Sequence, residues 1–591
     1  MSWDRHPERE RNDRTHLDKW HHFRGAFLLC VLLLGFVALA IRLVFLQIVD
    51  HEYYAKLAED QQIMQEPIKA RRGGFFDRMG RPLCVSVPAR SVFVAPAEIE
   101  TEEVPKVSQA LSRVLSVDEE ELRNSMLGRY DGKQFKWVKR RVSDYEAAAV
   151  AALRLKGVKF RTEYRRTFPQ GVLAPHVIGH VNVDQEGQEG LERTLDKELA
   201  GKDGLETLEC DGSRQPLLTE RAKFEPVVHG SDVQLTIDAE IQRIVEDELS
   251  KAMEEWNPLS VTIIVMEVKT GRILALGNAP TFSPLRPANC DPKDRLNRAV
   301  SACYEPGSIF KPFVMAGFLD AKLGQLDDTI FCENGLFRVR GRRLHDHHPY
   351  GWLTVSEVIE KSSNVGMAKI GLQMGAGRLF GTITAFGFGE STESGLPGEI
   401  GGIVTPFNKW NVYTVTSVPM GQEIAATPMQ IITAFNAIAN DGVLVKPQVV
   451  QTITEPDGEV LYKFEGPGAG RRVIRSETAR HLIDPALVGV LLRGTGKAAN
   501  VGVYPKFGKT GTAQKVAATG GFAHSRFVSS FLCGGPVDDP RVTALVLIDE
   551  PRRGQSYYGG TVAAPAAGRI VEKTLKYLRA PAMTVVQGAD L

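Results

Sequence analysis

A serine with a lysine three residues later, Ser308 and Lys311 in "EPGSIFKPF", is the pattern in this chain best suited to covalent chemistry. Serine is a weak nucleophile at neutral pH. It needs a neighbour to take its proton and a positive local field to favour the alkoxide. A helix beginning at Ser308 would set hydroxyl and amine side by side, because residues three apart share a helix face, and the helix N-terminus would add its own positive end. Pro306 and Gly307 suit a sharp entry, and Pro312 is tolerable in a first turn, where a missing N–H costs nothing. The run "VMAGFLDAKLG" continues with helical apolar spacing and stops at Gly324. Ser-x-x-Lys alone recurs by chance in long chains, so its partners must decide.

Two further clusters follow. Ser362, Ser363 and Asn364 stand in "EKSSNVGM", and Lys509, Thr510, Gly511 and Thr512 stand in "FGKTGTAQK". No serine other than Ser308 has a lysine three residues on. Lys-Thr-Gly also occurs at Lys269–Gly271, between two apolar segments. There Thr-Gly makes a turn and the lysine is solvated, so that copy is read as structural. The copy at Lys509 opens a strand whose backbone could line a groove.

The elements that must hold these residues can be read in outline. With 591 residues the chain exceeds one ordinary core, and two or three domains are expected. A formal net charge of +1 provides no basic field, so nucleic acid is not an expected partner. The seven cysteines form no C-x-x-C pair, and their pairing cannot be read from sequence. With no P-loop, metal-ligand cluster or dinucleotide fingerprint, no cofactor is expected. Residues 1–24, crowded with both signs of charge, are expected to be a disordered tail. The apolar run at residues 25–48 is long enough to span a bilayer. Arginines and lysines crowd before it and are sparse after it, which puts the N-terminus in the cytoplasm. Ala38 and Ala40 would also suit a signal-peptidase site, but the run continues past Arg42, so an uncleaved anchor is the preferred reading.

Residues 50–225 mix alternating and helical segments, an α+β region without a cluster of His, Cys or paired carboxylates. "VTIIVMEV" and "RILALGNA" then read as a hairpin, residues 308–500 as mainly helical, and "KFGKTGTAQKV", "SRFVSSFLCGG" and "RVTALVLIDEP" as late strands before a final helix. Two early and three late strands suggest one five-stranded antiparallel sheet covered by helices, an α/β (α+β) fold.

The order S-x-x-K, S-x-N, K-T-G resembles that of the penicillin-recognising serine acyltransferases. More of the chain is similar to class B (monofunctional) penicillin-binding proteins: "RRGGFFDRMGRPL", "RRTFPQGVLAPHVIGHVN", "GQEGLERTLDKELAGKDG", "NRAVSACYEPGSIFKPF" and "TPMQIITAFNAIANDGVLVKP". "RGTGKAANVGVYPKFGKTGTAQK" and "YYGGTVAAPAAGRI" lean towards the cell-division rather than the side-wall elongation members. The resemblance implies a penicillin-binding/β-lactamase-like transpeptidase domain at 226–580, an elongated pedestal of the dimerisation type at 49–225, a transmembrane anchor at 25–48, a cytoplasmic tail at 1–24 and a C-terminal tail at 581–591.

It also implies roles. Ser308 would attack the penultimate D-alanine of a stem peptide ending in D-Ala-D-Ala, and Lys311 would take its proton when its amine is neutral, a state favoured by burial and by the cation Lys509. Ser362 would relay a proton, and Asn364 would hold the donor amide. Lys509, Thr510 and Thr512 would bind the terminal carboxylate of substrate or β-lactam. Gly511 would let substrate approach the strand. Backbone N–H groups of Ser308 and Thr512 would form an oxyanion hole, contributing about 3–4 kcal/mol per donor. A SEDS-type glycosyltransferase and other wall-synthesis proteins are the implied partners, and the inner (cytoplasmic) membrane, single-pass with the catalytic domain outside or periplasmic, the implied location. A β-lactamase is disfavoured because no E-x-x-L-N string lies between Ser362 and Lys509. A non-catalytic divisome scaffold is the alternative from another class.

Overall fold

The computed structural model describes residues 8–127, 136–210, 216–217, 223–516, 522–554 and 556–581. The chain divides into two compact units, residues 1–69 with 203–228 and residues 70–202 with 229–591. Apart from residue 581, the expected C-terminal tail lies outside the described residues.

In the first unit a helix Glu8–Val44 passes through a π-turn Phe45–Val49 into the helix His51–Gln62. The stretch Lys19–Val49 is long and apolar enough to cross a membrane, and none of it is buried. Residues 8–24, expected to be disordered, instead extend this helix towards the N-terminus. The physical reason is cooperativity: Glu, Arg and Lys propagate a helix readily once an adjoining segment has nucleated it. Arg24 also lies over the Trp20 ring at 4.4 Å. The strand Ile63–Ile68 then pairs antiparallel with Gly204–Cys210.

The second unit holds two large sheets. One has seven strands, in the order Val460–Lys463, Val450–Thr454, Asp232–Leu235, Phe75–Phe76, Pro82–Val94 and Lys136–Val142, with Val158–Thr167 also on Pro82–Val94. It therefore joins segments from both sides of residue 225. The arginine-rich motifs meet beneath it. Arg72, 2% exposed, donates from Nε to Glu192 Oε2 at 2.7 Å, and Arg166 donates from Nε to Glu192 Oε1 at 2.8 Å. Such a buried network is costly to break, since losing one member strands the others' charge.

The other sheet is the expected one: five antiparallel strands ordered Ile273–Ala279, Ser260–Glu267, Val542–Asp549, Phe522–Gly535 and Phe507–Val516. Its central strands are buried at successive positions, so both faces are covered. Helices Ala239–Trp256 and Ala564–Tyr577 pack on the sheet and on each other, and Pro428–Ala439 packs on its middle strands. The strand Phe507–Val516 lies at the sheet's edge, which leaves one side of its backbone free to face a groove. All seven cysteines are unpaired.

Candidate active site

Ser308 stands half-buried in a 3-10 turn, Gly307–Phe310, and the α-helix proper begins only at Lys311. The expectation of an α-helix starting at Ser308 is thus off by one turn. The helix also ends at Asp320 rather than near Gly324, where the Asp320 carboxylate accepts from Arg475 N at 2.8 Å and Thr478 Oγ1 at 2.8 Å. Pro312 falls in the first turn as expected. Gly307 has φ +57°, its N–H donates to Gly421 O at 3.0 Å, and an added Cβ would lie 3.2 Å from the Ala513 Cβ. A side chain there would be strained and crowded together.

The three sequence-separated clusters meet at Ser362. Lys311 is fully buried, and its Nζ donates to Ser362 O at 2.6 Å, Ser362 Oγ at 3.2 Å and Asn364 Oδ1 at 2.9 Å. Lys509, also fully buried, donates to the same Ser362 Oγ at 2.9 Å and to Thr510 O at 3.1 Å. Ser362 takes up a left-handed conformation, φ +59°, between two helices, a costly geometry for a serine that turns it towards both lysines. Thr510 Oγ1 lies 2.6 Å from Thr495 Oγ1, and Thr512 Oγ1 accepts from Gly559 N at 3.0 Å. At Gly511 a Cβ would meet Ser530 Oγ at 2.3 Å and Ile309 Cγ2 at 2.7 Å. Close packing of the Ser308 turn against the strand therefore requires glycine there.

Two buried ammonium groups sharing one hydroxyl cannot both keep their protons easily. Burial pulls Lys311 down to about 7, with the Asp346 carboxylate opposing it. Burial and the charge on Lys311 push Lys509 well below its ordinary value. Binding of a carboxylate would favour the proton on Lys509 and leave Lys311 neutral, the state a proton acceptor needs. Acylation by penicillin should therefore rise with pH through about 7. A stopped-flow profile flat across that range would remove Lys311 as the base.

Asp346 and His347, in "LHDHHPYGW", were not singled out from the sequence. Asp346 caps the helix Asn364–Ala385 from outside: its Oδ2 accepts from Ser363 Oγ at 2.7 Å, and its Oδ1 from Val365 N at 3.0 Å and from Asn364 N. The one available signal was an acid amid a run of histidines, far from any motif in the chain. Asp346→Ala strands these donors and should cost about 1–3 kcal/mol of stability, with slower acylation as the Ser362 turn loosens. A melting curve and acylation rate like those of the unaltered protein would refute this.

Ser308 opens into a cleft of about 330 Å³ that Asn364, His347, Thr512, Phe527 and Tyr557 also line. Phe527 and Tyr557 stack with ring centroids 4.0 Å apart, and Tyr558 lies on Tyr557 at 4.7 Å, so one wall is aromatic. Burial, followed by the charge on Lys311, lowers the proton affinity of His347. The second Lys-Thr-Gly copy is elsewhere: Lys269 is in the hairpin turn, 55% exposed, with Nζ 3.4 Å from Asp441 Oδ2. Its Gly271 has φ +73°, as the turn requires.

Residues 261–572 match the family model of the penicillin binding protein transpeptidase domain, and residues 67–235 that of the penicillin-binding protein dimerisation domain. A probable peptidoglycan D,D-transpeptidase PenA of Neisseria meningitidis is 33% identical over 94% of this chain and 93% of that protein. The stage V sporulation protein D of Bacillus subtilis is 33% identical, over 93% and 85%. The peptidoglycan D,D-transpeptidase FtsI of Escherichia coli is 28% identical, over 94% and 92%. Among solved structures, penicillin binding protein 3 of Mycobacterium tuberculosis complexed with aztreonam superposes with a TM-score of 0.68 at 27% identity, over 88% of this chain and 98% of that one.

Proposed function

The chain belongs to the penicillin-binding protein transpeptidase family and is a peptidoglycan D,D-transpeptidase, and on that premise we propose that Ser308 is its nucleophile and that it cross-links septal wall from a single membrane anchor. The observation that carries the assignment of the nucleophile is the convergence of Lys311, Asn364 and Lys509 on Ser362 beside the Ser308 cleft.

In the first half-reaction Ser308 Oγ attacks the carbonyl of the penultimate D-alanine while neutral Lys311 takes its proton. A C–Oγ bond forms, the peptide C–N bond breaks, and terminal D-alanine leaves after its amine gains a proton relayed through Ser362. In the second, an acceptor amine attacks the acyl ester, a new C–N bond forms, the C–Oγ bond breaks, and the proton lost by the amine nitrogen passes through Lys311 to Ser308 Oγ. Lys509 and the Thr510 and Thr512 hydroxyls hold the donor's carboxylate, and Asn364 holds its amide. The backbone N–H groups of Ser308 and Thr512 are assigned to the developing oxyanion. No step calls for a cofactor.

The catalytic domain lies outside the cytoplasmic membrane, with residues 25–48 as the span and residues 1–24 in the cytoplasm. Charge asymmetry around the apolar helix supports this topology. The pedestal, taken as 49–225, and the transpeptidase domain, taken as 226–580, divide the labour of docking and chemistry. Residues 493–515 and 557–570, which resemble cell-division members, support the septal role. A SEDS-type membrane glycosyltransferase supplies the glycan strands. Swapping residues 25–48 for an unrelated span should release that partner on co-purification, and an unchanged complex would rule out docking through the helix.

The test of the chemistry is mass spectrometry of penicillin-treated protein. A stable adduct on the peptide containing Ser308 is expected. Rapid turnover of the drug, or an adduct elsewhere, would overturn the assignment.

A further inference from the structure

A separate hollow, of about 490 Å³, shares no lining residue with the Ser308 cleft and is large enough for a small molecule. It is walled by the helix Pro428–Ala439 and by residues 386–393, 444–448 and 464–471. Phe386, Leu444, Val445, Phe464 and Pro467 make most of that wall apolar. The Phe386 ring also meets that of Phe313 at 5.5 Å, so the hollow rests against the helix that carries Lys311. Its polar groups divide into those already engaged and those left open. Gln430 is spent: Nε2 donates to Glu390 O and Gly401 O, both at 2.8 Å, and Oε1 accepts from Thr427 N at 2.9 Å. Lys446 pairs with Glu393. Arg471 and Glu390, both exposed, have no ion-pair partner among the described residues. Exposed charges are often unpaired and carry no argument alone. Thr433 adds an independent one: it is 5% exposed, and its Oγ1 makes no hydrogen bond among the described residues. A buried hydroxyl left unpaired is costly, and at the wall of an apolar hollow it calls for a polar group from a ligand.

We propose that this hollow binds a short apolar peptide, two or three residues long with both termini free. Its carboxylate meets Arg471, its ammonium meets Glu390, and Thr433 Oγ1 hydrogen-bonds a peptide group. The inference goes beyond the transpeptidase reading and does not depend on it, since no bond is made or broken here. Burial of the peptide's side chains against Phe386, Leu444 and Phe464 supplies the attraction, in proportion to the apolar area taken from water. The two opposite charges fix its direction. Other ligands answer only part of this wall. A fatty acid or anionic lipid would satisfy Arg471 and set its own charge beside Glu390. The end of a partner chain would supply one terminus and leave the other charge unmet. A zwitterion as small as glycine would match both charges and bury no apolar surface.

The experiment uses the full chain in detergent and equilibrium dialysis of radiolabelled leucylphenylalanine, with micelles alone as the blank. A Kd of about 10–100 μM is expected for a ligand of this size. Arg471→Gln should raise that Kd about tenfold or more and leave binding of the C-terminal amide of the same peptide unchanged. Glu390→Gln should do the same to the free peptide and spare its N-acetyl form. Both side chains are exposed, so neither change threatens the fold. Thr433→Val keeps the shape and removes the unpaired hydroxyl, and should weaken binding severalfold without loss of stability. Penicillin labelling of Ser308 should proceed in all three variants as in the unaltered protein, because none of these residues touches the Ser362 cluster. Retention of the peptide no greater than by micelles would overturn the site. So would tight binding that the charge variants leave unchanged, or blocked peptides that bind as well as the free one. Failure of penicillin labelling in the unaltered protein, with peptide binding intact, would overturn the transpeptidase reading and leave this site standing.

Discussion

Ser308→Ala should end covalent capture of penicillin and reduce peptide transfer by at least about a thousandfold, the scale on which nucleophile removal acts in other acyl enzymes. The loss is chemical rather than structural. Ser308 Oγ makes no hydrogen bond among the described residues, and its turn is held by the buried neighbours Ile309 and Phe310 and by Gly307 N–H on Gly421 O. Stability should therefore stay within about 0.5 kcal/mol. Intact-protein mass spectrometry after drug treatment reads the first effect and thermal melting the second. Growth after depletion of the native protein separates enzyme from scaffold, because a scaffold with alanine at this position would still support division. Survival of such cells would defeat the enzymatic account.

Lys509→Ala should slow acylation by about a hundredfold or more, and Lys269→Ala should leave it unchanged, although both lysines begin a Lys-Thr-Gly. Lys509 is fully buried, and its Nζ meets Ser362 Oγ, so its removal takes away both a hydrogen bond in the cluster and the charge available to a carboxylate. Where a bound carboxylate keeps the proton on Lys509, removing that cation would also raise the proton affinity of Lys311. Any acylation that survives should shift to higher pH. Lys269 is 55% exposed and faces Asp441 across 3.4 Å, a surface pair worth little. Acylation rates of the two variants decide the matter, and the reverse ranking would refute the assignment of the groove strand.

Much of the site was legible because its signals are local. The spacing of Ser308 and Lys311, the turn chemistry of Thr270–Gly271 and the alternating apolar strands each depend on residues a few positions apart, the range over which backbone geometry dictates which side chains share a face. The five-stranded sheet followed from such patterns. The same locality misled at Ser308: a helical pattern does not reveal that its first turn is 3-10, because the choice depends on how Gly307 is packed against Ala513 and Gly421. At Gly511 local sequence also could not show that Ile309 and Ser530, from other elements, leave no room for a side chain.

The identities and order of Ser308, Lys311, Ser362, Asn364 and Lys509, the apolar N-terminal span and the strand count were determined by the sequence alone, because motif and periodicity are properties of neighbouring residues. Tertiary structure decided which acids answer them. Asp346 at the Ser363 hydroxyl and the Asn364 and Val365 N–H groups and the mixed sheet that joins Phe75–Phe76 to Asp232–Leu235 both depend on contacts between distant residues. Lys509 reaches Ser362 across 147 positions of chain. A carboxylate or an ammonium becomes chemically distinctive when folding removes its water and chooses its neighbours, and chain order does not encode that choice in any short stretch.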